Sequence, residues 1–174
     1  MAATYDHIAT ATASGNPMFL EVTSIPATYK DLEVIIMSKT GTSNGASSGK
    51  ITFNGVTSSD YSWAMLGKNG TSMRTSIYNS QPDFDINYSH GPGPGTGSAM
   101  SGWVRLYVPD YASTTAHPVN WWCTSWDSTT AGELAYSAGL FEPSSAQAVT
   151  SMKWTCAYSI QNGCTMSVYG IKYV

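Results

Sequence analysis

The chain has 174 residues and a mass of 18.6 kDa, enough for one domain with a sizeable core. Only 11% of it is charged, with 8 Lys plus Arg against 11 Asp plus Glu, so no basic surface able to track a phosphate backbone is expected, and nucleic acid is excluded as a partner. Its polarity comes instead from 24 Ser and 20 Thr, which, with the glycines and aromatic residues, fits an all-β protein packed among neighbours better than a helical enzyme.

The opening segment Met1–His7 has neither a basic n-region nor an apolar h-region, so no signal peptide is expected and synthesis in a cytoplasm is. No stretch approaches the roughly 20 apolar residues of a membrane span. In chain order, strands are predicted over 5–12, 18–24, 31–39, 50–53, 61–67, 72–78, 83–88, 100–108, 118–125, 134–141, 149–157 and 164–173. Asn-Gly pairs at 44–45, 54–55, 69–70 and 162–163 read as type I′ turns, which need positive φ at both central positions. Between the second and third strands lies a corner. Leu20, Val22 and Ile25 close one apolar run, and Leu32, Val34 and Ile36 open the next. Pro26 cannot donate to a ladder; Tyr29 is expected to lay its ring on the sandwich edge, and Asp31 to accept backbone N–H bonds. Gly55 and Gly170 are expected in conformations that other residues avoid.

Further along, the run 90–97 of Gly and Pro reads as an exposed loop. In the strand at 100–108, Val104, Leu106 and Val108 face one way while Trp103, Arg105 and Tyr107 face the other. Met166 and Val168 alternate likewise with Ser167 and Tyr169. The aromatic run at 121–126 places Trp122 and Trp126 on one face and Trp121 with Cys123 on the opposite one. Trp121 and Cys123 are expected in the core; Trp122 and Trp126 read as subunit-interface or core residues ahead of a glycan site, and stand as the candidates for an interface or ligand contact. Trp63, Trp103 and Trp154 read as core by frequency, with Trp103 joining Arg105 and Tyr107 as an interface candidate if it faces outward. A short helix around 144–149 is the best helical candidate. Turn signals about every ten residues predict one antiparallel β-sandwich over 1–174, jelly-roll-like in its strand order.

No catalytic constellation emerges. Asp83 and Asp85 share one face of a short strand, while Asp60, Asp110, Asp127, Glu133 and Glu142 lie in or beside turns. There is no Gly-x-Ser-x-Gly elbow, and His117 merely precedes Pro118. The three cysteines, Cys123, Cys156 and Cys164, lack Cys-x-x-Cys spacing and read as free buried thiols. His7, His90 and His117 are scattered, so neither a metal nor another cofactor is expected.

In order and spacing, the segments Tyr5–Thr10, Ser24–Leu32, Phe53–Gly55 with Tyr61 and Ser62, and Thr165–Ile171 resemble a family of small tailed-bacteriophage virion proteins. Val56 stands where that family's pattern has an acidic residue, and the stretch from Asp83 to Gly102 follows no part of the pattern. The resemblance implies a virion structural protein, with Ile25, Pro26, Tyr29 and Asp31 as its scaffold corner. Absence of heptads or repeats suggests a capsid decoration rather than a fibre. The expected partners are the chain itself as a homotrimer and other virion proteins. The alternative is a tail fibre or tail-tip adhesin that binds a host surface glycan through Trp122 or Trp126. A glycan hydrolase or esterase has no cleft residues to support it.

Overall fold

Turn residues at short intervals keep each apolar alternation brief, and the protein is built of strands throughout. The computed structural model describes residues 3–38, 49–69, 71–86, 102–126, 133–157 and 159–173. Its strands are β1 (Ala3–Thr12), β2 (Phe19–Val22), β3 (Asp31–Ser38), β4 (Gly49–Phe53), β5 (Tyr61–Asn69) and β6 (Ser72–Gln81), then β7 (Phe84–Asp85), β8 (Gly102–Pro109), β9 (Val119–Trp126), β10 (Glu133–Phe141), β11 (Met152–Cys156) and β12 (Thr165–Tyr173). Each predicted strand has its counterpart, and no helix occurs among the described residues. The segment 144–149 is irregular because its backbone is used elsewhere: Val149 N–H donates to the Tyr111 carbonyl at 2.8 Å. The run 90–97 lies outside the described residues, as does all or part of the Asn-Gly pairs at 44–45 and 69–70.

Two antiparallel sheets pack as a sandwich. The larger has eight strands in the order β1-β12-β3-β8-β9-β10-β5-β6, and the smaller has four, β2-β11-β4-β7. The chain crosses between layers repeatedly, and the strands divide eight on four in the antiparallel β-sandwich expected from the turn spacing. One core lies between the sheets. Leu32, Val34 and Ile36 of β3 meet Val104, Leu106 and Val108 of β8 and Met166 and Val168 of β12, all of them buried as the alternation predicts. Phe53, Tyr61, Phe84 and Phe141 pack edge-on or stacked, with ring centroids 4.8–6.5 Å apart. The Tyr61 hydroxyl is satisfied inside this box, accepting from Phe53 N–H at 2.9 Å and donating to the Val56 carbonyl at 3.0 Å.

The Asn54–Gly55 turn has positive φ at both residues (54° and 69°), as type I′ requires, and Val56 N–H closes it onto the Phe53 carbonyl at 2.9 Å. Asn54 does more than turn the chain. Its side-chain carbonyl accepts from Thr150 N–H and Ser151 N–H at 2.8 and 3.1 Å, and its amide donates to Ala148 O at 2.8 Å. At Asn162–Gly163 only the glycine has positive φ (84°), so this pair is not type I′.

The corner between β2 and β3 forms as expected. Ile25 is buried and its N–H donates to the Thr150 carbonyl at 2.9 Å; the Pro26 carbonyl accepts from the Tyr111 hydroxyl. Tyr29 lays its ring over Gly170 of β12, while Lys172 Nζ sits 4.7 Å from the ring centroid. Gly170 is therefore needed for close approach and not for a special φ: a Cβ there would fall inside the Tyr29 ring. Gly170→Ala should lower stability by about 1–3 kcal/mol. The loss should be much smaller in a Tyr29→Ala background, because the two residues share one contact. Urea unfolding of the four variants in that cycle checks this; equal losses in both backgrounds would show that the ring is not seated there.

Candidate functional site

Cross-strand partners lie on one face of a sheet, so the register identifies which side chains line the outside of the large sheet. One row crosses all eight strands: His7, Tyr169, Glu33, Tyr107, Trp121, Ala138, Ala64 and Ile77. The row on one side of it contains Ile35, Arg105, Cys123, Tyr136, Leu66 and Thr75. The next contains Met37, Trp103, Ser125, Leu134, Lys68 and Met73, and Tyr5, Tyr173 and Val119 complete the same face. Of the thirteen large apolar or aromatic side chains exposed among the described residues, eleven lie here; the other two are Met18 and Phe19. Solvent-facing sheet surfaces are ordinarily polar, so an apolar face this wide is the main anomaly of the surface.

The carboxylates on this face are spent internally. Asp31 is buried, and its carboxylate accepts from the Tyr107 hydroxyl at 2.5 Å, the Tyr173 hydroxyl at 2.6 Å and Asp110 N–H at 2.8 Å. Burial pushes this carboxyl up, but the two phenols, the amide and the nearby Lys30 charge outweigh that and hold it below its usual range. Burial and the bonds to Asp31 and Tyr173 push the Tyr107 hydroxyl up. Two residues along, the buried Glu33 accepts from Arg105 Nε, whose side chain is half exposed. Burial pushes the Cys123 thiol up against the Arg105 charge, which keeps it protonated and unreactive. All three cysteines are buried free thiols.

On the β9–β10–β5–β6 side the face dips into an open groove of about 520 Å³. The cross-strand pair Ala138 and Ala64 forms its floor, and Trp121, Tyr136, Leu66 and Ile77 rise around it. Trp121 is 44% exposed and its ring leans on Tyr107 with centroids 5.5 Å apart; Tyr136 is 57% exposed.

The structure brings Trp103, Arg105 and Tyr107 together on the outer face, and it adds Asp31, expected only as scaffold, to the same cluster. It reverses the tryptophan pair. Trp122 is 1% exposed and packs on Trp63 and Phe84 inside the sandwich, so it is a core residue and not an interface or ligand contact. Trp121 is the exposed one. Trp122 pairs across to Leu106, which faces the core, so it must face the core too. Cys123 is buried as expected, but beneath its neighbours on the outer face. The side chain of Trp126 lies outside the described residues. Tyr136, Tyr173, Glu33 and the alanine floor are not singled out by the sequence. Strand β10 held the missed signal: Leu134 and Tyr136 alternate with Ala135, Ser137 and Gly139, and the small residues face inward because Phe84 leaves no room beside Gly139 for even a Cβ.

Among the described residues, no three of His, Cys, Asp and Glu group closely enough to hold a metal ion. Asp83, considered with Asp85 for acid chemistry from the sequence, is ion-paired with Lys50 at 2.9 Å. Neither a family model nor a curated protein matches the chain. Among solved structures it is similar to the marine PL-14 alginate lyase from Aplysia kurodai, at 10% identity and a TM-score of 0.38 over 99% of this chain and 83% of that one. A likeness of that degree transfers no activity.

Asp31→Asn removes the charge that three donors address, and should cost about 1.5–3 kcal/mol at neutral pH. A carboxyl held low in the folded state stabilises it above the unfolded value, near pH 3.9, and that contribution fades as pH falls through the folded value. The stability gap between parent and variant should therefore be full at pH 7 and shrink below about pH 4. Urea midpoints across that range decide it; a gap independent of pH would rule out the charge as its source.

Proposed function

We propose that this protein is a non-enzymatic structural component of a bacteriophage particle. It is exposed on the particle and assembles through the outer face of its eight-stranded sheet with further copies of itself and with other virion proteins. The observation that carries the assembly role is the concentration of eleven exposed large apolar side chains on that one face. The phage setting rests on the order of the segments from Tyr5 to Ile171 described above. The carboxylates of the face support a non-catalytic role, because Asp31 and Glu33 are both buried and committed to partners within the chain.

Within that setting we place the protein on the capsid, as a decoration. Eight strands at about 4.8 Å spacing make a face roughly 35 Å across, which suits a broad contact between proteins better than a sugar cleft. A second reading, a tail adhesin for a host surface glycan, is favoured by one feature: the exposed indole of Trp121 and ring of Tyr136 beside the alanine floor. In that reading Trp121 and Tyr136, and not Trp122, are the residues to change. Trp121→Ala would abolish polysaccharide binding by the purified protein.

Quantitative mass spectrometry of purified particles tests the proposal. A decoration should appear in copy numbers comparable with the capsid subunit, a tail component in only a few copies, and absence from particles would overturn the virion reading. Because the face is largely apolar and its carboxylates are committed within the chain, the protein should stay bound when salt is raised to about 1 M, where the Debye length is about 3 Å. Release at moderate salt would show that the contacts are ionic.

A further inference from the structure

The partner that fits the outer face best is the same face of a second copy. We infer that two chains close face to face about a twofold axis passing through the groove between Trp121 and Ile77, forming a homodimer. This deepens the assembly role proposed above and rests on it.

Four observations carry the inference. The first is area. A large side chain left about half exposed shows on the order of 100 Å², so the eleven on this face amount to roughly 1,000 Å² per chain. A stable interface needs about 800 Å² per partner, and the largest patch on an ordinary monomer is about 300–600 Å². The second is relief. The same face carries both a hole, floored by Ala138 and Ala64, and projecting side chains beside it, with Ile77 77% exposed. A twofold contact requires such self-complementarity, since each copy must both give and receive. Packed sheets interdigitate at about 10 Å separation, which these side chains can fill.

The third observation is charge. The face holds Asp31 and Glu33 against Arg105 and Lys68, a net charge of zero, with both carboxylates buried under their own partners. A second copy brings the same balanced surface, with no large excess of either sign to repel it. The fourth is the state of the sheet edges. Both outermost ladders are interrupted, between His7 and Ala9 where β1 meets β12, and between Tyr61 and Trp63 where β5 meets β6. Irregular edges of this kind oppose extension of the sheet by strand pairing and leave the face as the route to association. The order of assembly follows too. A ring of three needs two different patches on each chain, but beyond this face the described residues expose only Met18 and Phe19 as large apolar side chains. One dominant patch closes at two copies.

Sedimentation velocity and light scattering on the full chain test the inference. The parent should have twice the 18.6 kDa chain mass, and Ala138→Arg, at an exposed position on the groove floor, should be monomeric with unchanged circular dichroism. If Ala138→Arg does not fold, Ile77→Arg on the exposed β6 position serves in its place. Thr57→Arg, in an exposed turn away from the face, should leave the dimer intact. Ala138→Arg mixed with Ala138→Glu should form a heterodimer although each alone is monomeric. That result requires the partner to be the same face of the same chain. A parent that stays monomeric to high micromolar concentration, a threefold mass, or a dimer indifferent to Ala138→Arg would each overturn the inference. A monomeric parent found abundantly on particles would leave the virion reading standing and remove only the dimer; a dimer absent from particles would do the reverse.

Discussion

The carboxylate of Asp31 joins three parts of the large sheet at once. It begins β3, receives the hydroxyls of Tyr107 from β8 and Tyr173 from β12, and caps the turn beyond β8 through Asp110 N–H. Strand β3 lies between β12 and β8, so this single group helps pin the register on both of its sides. Register matters more here than in a sheet with one plainly polar face. A slip of one residue exchanges every inward and outward side chain. With apolar residues on both faces, composition alone would resist that exchange only weakly. A buried acceptor with three directed donors resists it strongly, because a slipped strand would leave a charge without partners.

The second constraint is the mismatch between layers. Four strands cover part of one face of an eight-stranded sheet, and the core fills from there: β10 turns Ala135, Ser137 and Gly139 inward because Phe84, Trp122 and Trp63 already occupy the space. Its larger residues, Leu134 and Tyr136, are left outside. The apolar outer face is thus tied to the packing of the inner one. Side chains such as Trp121 and Tyr136, held by stiff strands, lose little entropy when a partner covers them, which is the physical basis for reading this face as an assembly surface.

The corner at Ile25–Asp31 has two roles that are separable in physical terms. Tyr29 over Gly170 is a packing contact that locks the loop onto β12. Asp31 lies buried on the outer side of the sheet with Glu33, and the two carboxylates are balanced in charge by Arg105 and Lys68 of the same face. The scaffold and the candidate site therefore meet in one residue.

Much of the fold was legible in the residues alone. Turn dipeptides and period-two alternation place all twelve strands, and Val104, Leu106 and Val108 face the core as their spacing says. The outward set Trp103, Arg105 and Tyr107 was legible by the same rule. At Trp121 and Trp122 the rule shows only that the two indoles lie on opposite faces. Which one is buried depends on the neighbour each meets, and Trp122 opposite Leu106 is a pairing between segments far apart in the chain. The same holds for the Asp31 cluster, assembled from residues 31, 107, 110 and 173, and for the eight-on-four division of the sheets. Alternation is a property of the chain and can be read along it. Pairing across strands is decided by the competition of whole faces for a limited interior, and only the tertiary structure resolves it.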